Sequence, residues 1–359
     1  MFDYLESAAQ LDRGARNLVA DFMAVKPGES VLITSDTATD AVAVQAIFRA
    51  VQAAGATPSV LTFSQLPYQG ALADPYLPST VSPAVRSCDV WIDMTFPYMA
   101  GSHGHEAAIA DKRVRYLLFG DLGSGGMSRL FGGINLDEYF FVANKLQELV
   151  DGSIGMTMRI TDPLGTDVSF TVDKPGFSKA RRAEKPGMYF VPGAVTIFPV
   201  LESVRGTIAL AAVFHEYFSL LTEPIFLKVD GKIREVRGPA HHRIVLDRAL
   251  RRAGNGEYGS IIHFTHSMNP AARMTGKSFI EDLRVMGNDA VGMGLPFWVP
   301  GGGENHPDGV IMNQSIWLEG QQIVRDSVIV GPRSVAEHAH LLVPAVQSAH
   351  RAEQVSHVR

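Results

Sequence analysis

At 359 residues, with 46% hydrophobic and 19% charged positions and no low-complexity tract, the chain has a globular composition and is long enough for two cores. A net charge of −5, without a basic stripe interleaved with aromatics, excludes nucleic acid as the expected partner. Cys88 is the single cysteine, which rules out an intramolecular disulfide and cysteine-based zinc, so any metal must be held by His, Asp or Glu.

Asp3 and Glu6 stand where a signal peptide needs a basic start. The longest apolar run, Gly206 to Phe214, is too short to span a bilayer. A cytoplasmic protein with no membrane partner is expected. Leu5 to Val25 carries apolar residues at helical spacing and stops at Lys26-Pro27-Gly28. Ser30 to Ser35 reads as a buried strand, Ala41 to Ala54 as a helix closed by Gly55, and Pro58 to Phe63 as the next strand. Cys88 to Met94 and Arg115 to Gly120 add two more. Strands alternating with helices predict an α/β unit over residues 1–150, built on a parallel sheet.

Such a sheet invites a nucleotide, but Gly120-Asp121-Leu122-Gly123-Ser124-Gly125-Gly126 does not complete the dinucleotide spacing and no phosphate loop occurs. The segment Met94 to Glu106 is more informative, since ligands gather beyond the carboxyl ends of strands in open α/β sheets. Read as a loop, it offers His103 and His105 as acid or base, or simply as exposed histidines. His105-Glu106 and His215-Glu216 both lack the second histidine of the zinc-peptidase motif.

Leu136 to Val150 reads as a closing helix, and Asp151-Gly152-Ser153 marks the boundary. Over 151–359 the pattern predicts an α+β, largely antiparallel unit. Its strands are Met156 to Thr161, Gly165 to Val172, Arg205 to Phe214, Ile225 to Val229 and Lys232 to Arg237, with a hairpin turn at Asp230-Gly231. A helix follows over Ala240 to Ala253. Tyr258 to Phe264 is a strand that ends near His263. Asp289 to Phe297 has small apolar character, and Val310 to Leu318 and Gln321 to Val330 are the last strands, while Arg351 to Arg359 is polar.

The segment Gly301-Gly302-Gly303-Glu304-Asn305-His306-Pro307-Asp308-Gly309 holds the chemistry. Pro307 excludes a helix interior, and in extended backbone His306 and Asp308 share a face, so with His263 they form a candidate metal site. Glu304 is a candidate to orient His306, and His266, three residues beyond His263, is a candidate to support a ligand or meet substrate, or is simply exposed. The same residues also fit a plain turn in which Asp308 caps backbone and His306 is exposed.

The order Ile262-His263, Asn269-Pro270, a glycine-rich segment and then His306-x-Asp308 resembles the thermophilic-aminopeptidase (leucyl aminopeptidase T-like) superfamily, and within it the 2,5-dihydroxypyridine 5,6-dioxygenase branch. Thr161 to Asp167 and Pro192 to Ser203 echo it. The resemblance implies a peptidase branch with a two-metal, carboxylate-rich site, with glutamate where this chain has His263 and a second glutamate where it has Ala194-Val195. The dioxygenase branch is similar in having His, His and Asp, mapped onto His263, His306 and Asp308. Two histidines and one carboxylate suit Fe(II) in an oxygenase, although manganese and zinc accept the same ligands.

The resemblance thus implies an iron-dependent ring-cleaving dioxygenase of the type that converts 2,5-dihydroxypyridine and O2 to N-formylmaleamate. It also implies an assembly of identical subunits, with histidines near the substrate as acid or base. His103 or His105 match by order, while a further such position falls at Tyr189 or Phe190, where the chain has no histidine. A metallohydrolase is the alternative.

Overall fold

The computed structural model describes residues 2–174, 182–214, 218–296 and 306–342. Glu304, the triglycine, His215-Glu216 and 351–359 lie outside them. The α/β and α+β arrangement expected from the sequence is what the chain adopts.

Five parallel strands form the first sheet, in the order β2 (Thr57–Phe63), β1 (Ser30–Asp36), β3 (Val90–Asp93), β4 (Arg115–Leu118) and β7 (Gly187–Phe190). β1, β3 and β4 are buried along their lengths, as strands covered on both faces must be. α1 (Phe2–Arg16) continues into a π-helical turn and packs on α2 (Ala41–Ala53), whose N-cap Asp40 accepts from the Val42 and Ala43 amides. β7 arrives from beyond residue 150 and pairs in parallel with β4, so the first sheet borrows a strand from later in the chain.

Three helices of the first unit were not legible in the sequence: α3 (Val81–Ser87), α4 (His103–Ala110) and α5 (Ser124–Leu130). His103 and His105, read as loop residues, open α4 instead, because Ser102 caps it by accepting from the His105 amide. The glycine-rich turn after β4 likewise runs directly into α5. α6 (Leu136–Asp151) then leads to the second sheet, its N-cap Asn135 accepting from Asp137 and Glu138.

The second sheet begins with β5 (Thr157–Thr161) and β6 (Asp167–Thr171), and β8 (Ala194–Ile197) follows β7. β9 (Arg205–Phe214) and β10 (Phe218–Asp230) pair in a long ribbon, and Gly231, at φ 68°, turns β10 into β11 (Lys232–Arg237). After α7 (Ala240–Ala253) come β12 (Ser260–Ser267), the short α8 (Phe279–Asp282), β13 (Asp289–Gly294) and β14 (Asp308–Ile311). The expected single strand Val310 to Leu318 is two strands. Asn313 takes a left-handed conformation (φ 55°) and the Gln314 amide donates to the Gly287 carbonyl. That turn sends β15 (Ser315–Leu318) away to pair with β5.

Candidate metal centre

β12, β13, β14 and β9 lie side by side, and their register aligns His263 with Gly292, Gly292 with Asp308, and Asp308 with Phe214. Directly opposed residues in antiparallel strands project from the same face, so His263, Asp308 and Phe214 look the same way. A bulge between Ile261 and His263 sets this register. A slip of one residue would turn His263 to the opposite face.

The row depends on a glycine at its second position. A Cβ at residue 292 would lie 2.3 Å from His263 Nε2 and 2.5 Å from its Cδ2. The imidazole therefore lies across Gly292 and reaches the next strand, where Nε2 stands 3.6 Å from Asp308 Oδ1. His306 shares the face of Asp308, with its Nε2 3.4 Å from Oδ2. The two imidazole centroids are 5.8 Å apart with planes at 79°.

All three side chains are buried, and their donor atoms fall within 4.8 Å of one another. Separations of 3.4 and 3.6 Å exceed those of good hydrogen bonds. They match donors that would share one ion at about 2.1 Å each. His263 Nδ1 lies 3.2 Å from Thr265 Oγ1, a contact that lets Nδ1–H face the hydroxyl and leaves the Nε2 lone pair to the cluster. The donor set therefore fits a divalent first-row metal with coordination positions left open.

The first sheet supplies the facing wall through the segment after β3. Asp36 accepts from the Phe96 amide (2.8 Å), Asp93 from the Met99 amide (2.9 Å) and His105 Nδ1 from the Gly101 amide (3.1 Å). Thus held, Phe96 and Tyr98 meet Phe214 at centroid distances of 5.1 and 6.3 Å, and Phe279 closes the group 4.3 Å from Phe214. The Tyr98 phenol is hydrogen-bonded to Gln69. Burial pushes its pKa far up, and the charges of Asp308 and Asp121 push it further, so the hydroxyl keeps its proton.

Arg284 is buried within electrostatic reach of Asp308 and Tyr98. Its Nε donates to the Val191 carbonyl at 3.1 Å, and Nη1 has no hydrogen-bond partner among the described residues. Burial lowers its pKa to about 10, against the opposing pull of Tyr139, Asp308, Tyr98 and Asp121, so it remains a cation at neutral pH. Gly193, at φ 142°, makes room for it, since a Cβ there would fall 2.8 Å from Arg284 Cβ.

The remaining sequence candidates have other neighbours. His105 is buried against Tyr116 (4.5 Å) and Trp91 (6.1 Å), and burial lowers its pKa to about 4. His103 is exposed, with Nδ1 3.0 Å from Asp74 Oδ2. The Tyr189 hydroxyl, on β7, donates to the Lys185 carbonyl at 2.6 Å. His266, three residues beyond His263, accepts from Gln314 Nε2 at 2.6 Å among apolar side chains that include Val195 and Ile316. Sequence reasoning missed Tyr98, Phe279 and Arg284. No local pattern marks them, since Arg284 stands in a mixed stretch, Phe279 to Met286, that also carries Glu281 and Asp282.

A buried His, His, Asp cluster on an antiparallel sheet, faced by the carboxyl ends of a parallel one, defines a candidate single-ion metalloprotein. The family model described as 2,5-dihydroxypyridine 5,6-dioxygenase matches residues 18–331, and the chain belongs to that family. The resemblance read from the motifs is thereby borne out. A comparison with curated proteins returned no match. Among solved structures, the fold is similar to 2,5-dihydroxypyridine dioxygenase from Pseudomonas putida KT2440, with a TM-score of 0.71 and 18% identity over 91% of this chain and 99% of that one. It is also similar to wild-type AmpT from Thermus thermophilus, with a TM-score of 0.62 and 14% identity over 90% of this chain and 100% of that one.

Proposed function

We propose that this chain is an Fe(II)-dependent dioxygenase that opens the ring of a dihydroxypyridine or a closely related hydroxylated N-heterocycle. The product of 2,5-dihydroxypyridine would be N-formylmaleamate, with both atoms of O2 incorporated. The buried His263, His306 and Asp308 cluster, in a chain of this family, carries the reading. Its single carboxylate suits one oxygenase iron better than a carboxylate-rich pair of metals.

Held by these three residues, Fe(II) would supply the activation of O2 and the electron transfer that ring opening requires. The chain's own side chains bind and orient. Phe96, Phe214 and Phe279, tilted against one another, offer apolar faces to an aromatic ring. The Arg284 guanidinium is placed to take the negative charge of a ring oxygen, and protonated Tyr98 to donate to the same edge. His105 acts one step back, because Nδ1 holds the Gly101 amide and with it the segment presenting Tyr98.

The test is anaerobic loading with Fe(II), followed by oxygen uptake on a panel of hydroxypyridines, with Mn(II) and Zn(II) loading in parallel. Stoichiometric uptake with Fe(II) and a ring-opened product supports the reading. Peptide cleavage with Zn(II), indifferent to oxygen and with no ring substrate consumed, overturns it.

A further inference from the structure

The glycine-rich turn after β4 lacks the spacing for a dinucleotide, yet its residues meet the second sheet at backbone distance. Gly120 has φ 60°, and a Cβ there would lie 2.8 Å from Ile280 Cγ1. A Cβ at Gly126 would lie 3.1 Å from Glu281 Oε2, and one at Gly133, beyond α5, 2.9 Å from Ala271 Cβ. All three contacts fall on residues 269–284, the connection that leaves β12 after the metal-binding strand and returns as β13.

Polar groups fasten the same connection. Asp121 Oδ2 accepts from the Phe279 amide at 2.6 Å, while Oδ1 accepts from the Ile280 amide at 3.0 Å and from Ser278 Oγ at 3.1 Å. Arg129 on α5 pairs with Glu281 through two bonds of 2.6 and 2.7 Å, and the Glu281 carboxylate is nearly fully buried. Asn269 Nδ2 donates to the Leu130 carbonyl at 3.3 Å. Bonds to ionised groups are the strong members of such sets. They bear on a stretch of second-sheet chain that carries Phe279 and Arg284.

We propose that the Gly120–Gly126 turn and α5 form a joint in which Asp121 and Arg129 hold the β12–β13 connection, and through it Phe279 and Arg284, in register with the metal centre. Asp121 and Arg129 are positioning residues. The ligands His263, His306 and Asp308 stand on, or at the start of, strands of their own and do not depend on this connection for their mutual geometry. The joint therefore governs how a ring is received, and leaves ion binding alone. That consequence rests on the dioxygenase reading, whereas the fastening itself does not.

The test compares wild type with Asp121→Asn and with Ser278→Ala, which deletes one of the three donors to Asp121 together with the cap that accepts from the Glu281 amide and leaves both backbone donors in place. Hydrogen exchange on the metal-loaded chain, Fe(II) affinity, and kcat and KM for 2,5-dihydroxypyridine are measured for each. In Asp121→Asn, exchange over 275–284 should rise about tenfold, the scale of one lost charge-assisted bond, with the first sheet unchanged. Fe(II) affinity should stay within about threefold, while KM rises about tenfold and kcat changes far less. Ser278→Ala should move the same readouts less, which keeps the proposal testable if Asp121→Asn folds poorly. Unchanged exchange, or a KM that stays fixed while exchange rises, overturns the joint. So does a loss of Fe(II) affinity parallel to the loss of protection. A wild-type chain that opens no hydroxypyridine ring defeats the proposed reaction instead, and the exchange and affinity measurements still decide the fastening.

Discussion

His263 and Asp308 are not neighbours on adjacent strands; they meet across Gly292, with Nε2 3.6 Å from Oδ1 and a strand of backbone passing beneath the imidazole. The absence of a side chain at 292 is thus a condition of the site. Gly292→Ala would place a methyl group 2.3 Å from Nε2 and force the ring off its line. The expected result is at least a tenfold loss of ion affinity, since misaligned ligands commonly lose 10- to 100-fold. Titration with Fe(II) or Zn(II) reads it, alongside a circular dichroism spectrum that stays native. Wild-type affinity in Gly292→Ala would show that His263 is not a ligand.

Among the described residues Asp308 is the only carboxylate of the cluster, and its charge interacts with that of the cationic Arg284. Asp308→Asn keeps the shape and removes the charge, so the site should no longer retain an ion through gel filtration. Metal analysis of protein purified without a chelating tag is the measurement. Chelation of the wild-type ion should abolish oxygen uptake and re-addition of Fe(II) restore it, while the second sheet remains folded because its ladders do not run through the ion. Metal content unchanged in both Asp308→Asn and His306→Ala would place the ion elsewhere.

Much of this was legible because strands announce themselves locally. The period of the apolar pattern gave β1, β9 and α7 to within a residue or so. Pro307, by excluding a helix, confines His306 and Asp308 to extended backbone and so to a shared face. What stayed hidden depends on register and on distance along the chain. No local pattern shows that Gly292 will lie between His263 and Asp308, since that follows from the order of three strands. α5 looked like a turn because glycines that allow close approach also weaken helix propensity. Tyr98 sat in a stretch where two histidines drew attention, and only the three-dimensional path after β3 carries it towards Asp308 while His105 packs on Trp91 and Tyr116.

That contrast is itself testable. Tyr98→Phe removes one hydroxyl that would donate to a charged ring oxygen, worth about tenfold in KM, and should leave metal content untouched. His105→Gln keeps an acceptor for the Gly101 amide and should have the smaller effect on turnover. Steady-state kinetics over a range of ring concentrations separates the two. If His105→Gln abolishes turnover while Tyr98→Phe is neutral, the acid/base role returns to His105.

His266 gives a prediction about stability and pH. Burial lowers its pKa from 6.5 to about 4, and its Nδ1 already accepts from Gln314. The unfolded chain therefore binds the proton more tightly between these values. The contribution is fully present above pH 6.5 and is lost as pH falls through that window, by about 3 kcal/mol in all. Asp121 acts in the opposite sense. Burial raises its pKa from 3.8 to about 6, so its contribution is fully present below 3.8 and is lost as pH rises through about 6. The two partly cancel in wild type, and a simple acid titration of the whole protein would conceal both. The difference between wild type and His266→Gln isolates one of them. By urea unfolding, the variant should be the less stable at pH 7.5, and the gap should narrow by about 2 kcal/mol at pH 5. A gap that stays constant between these pH values would mean that His266 titrates normally and is not sealed beneath α6.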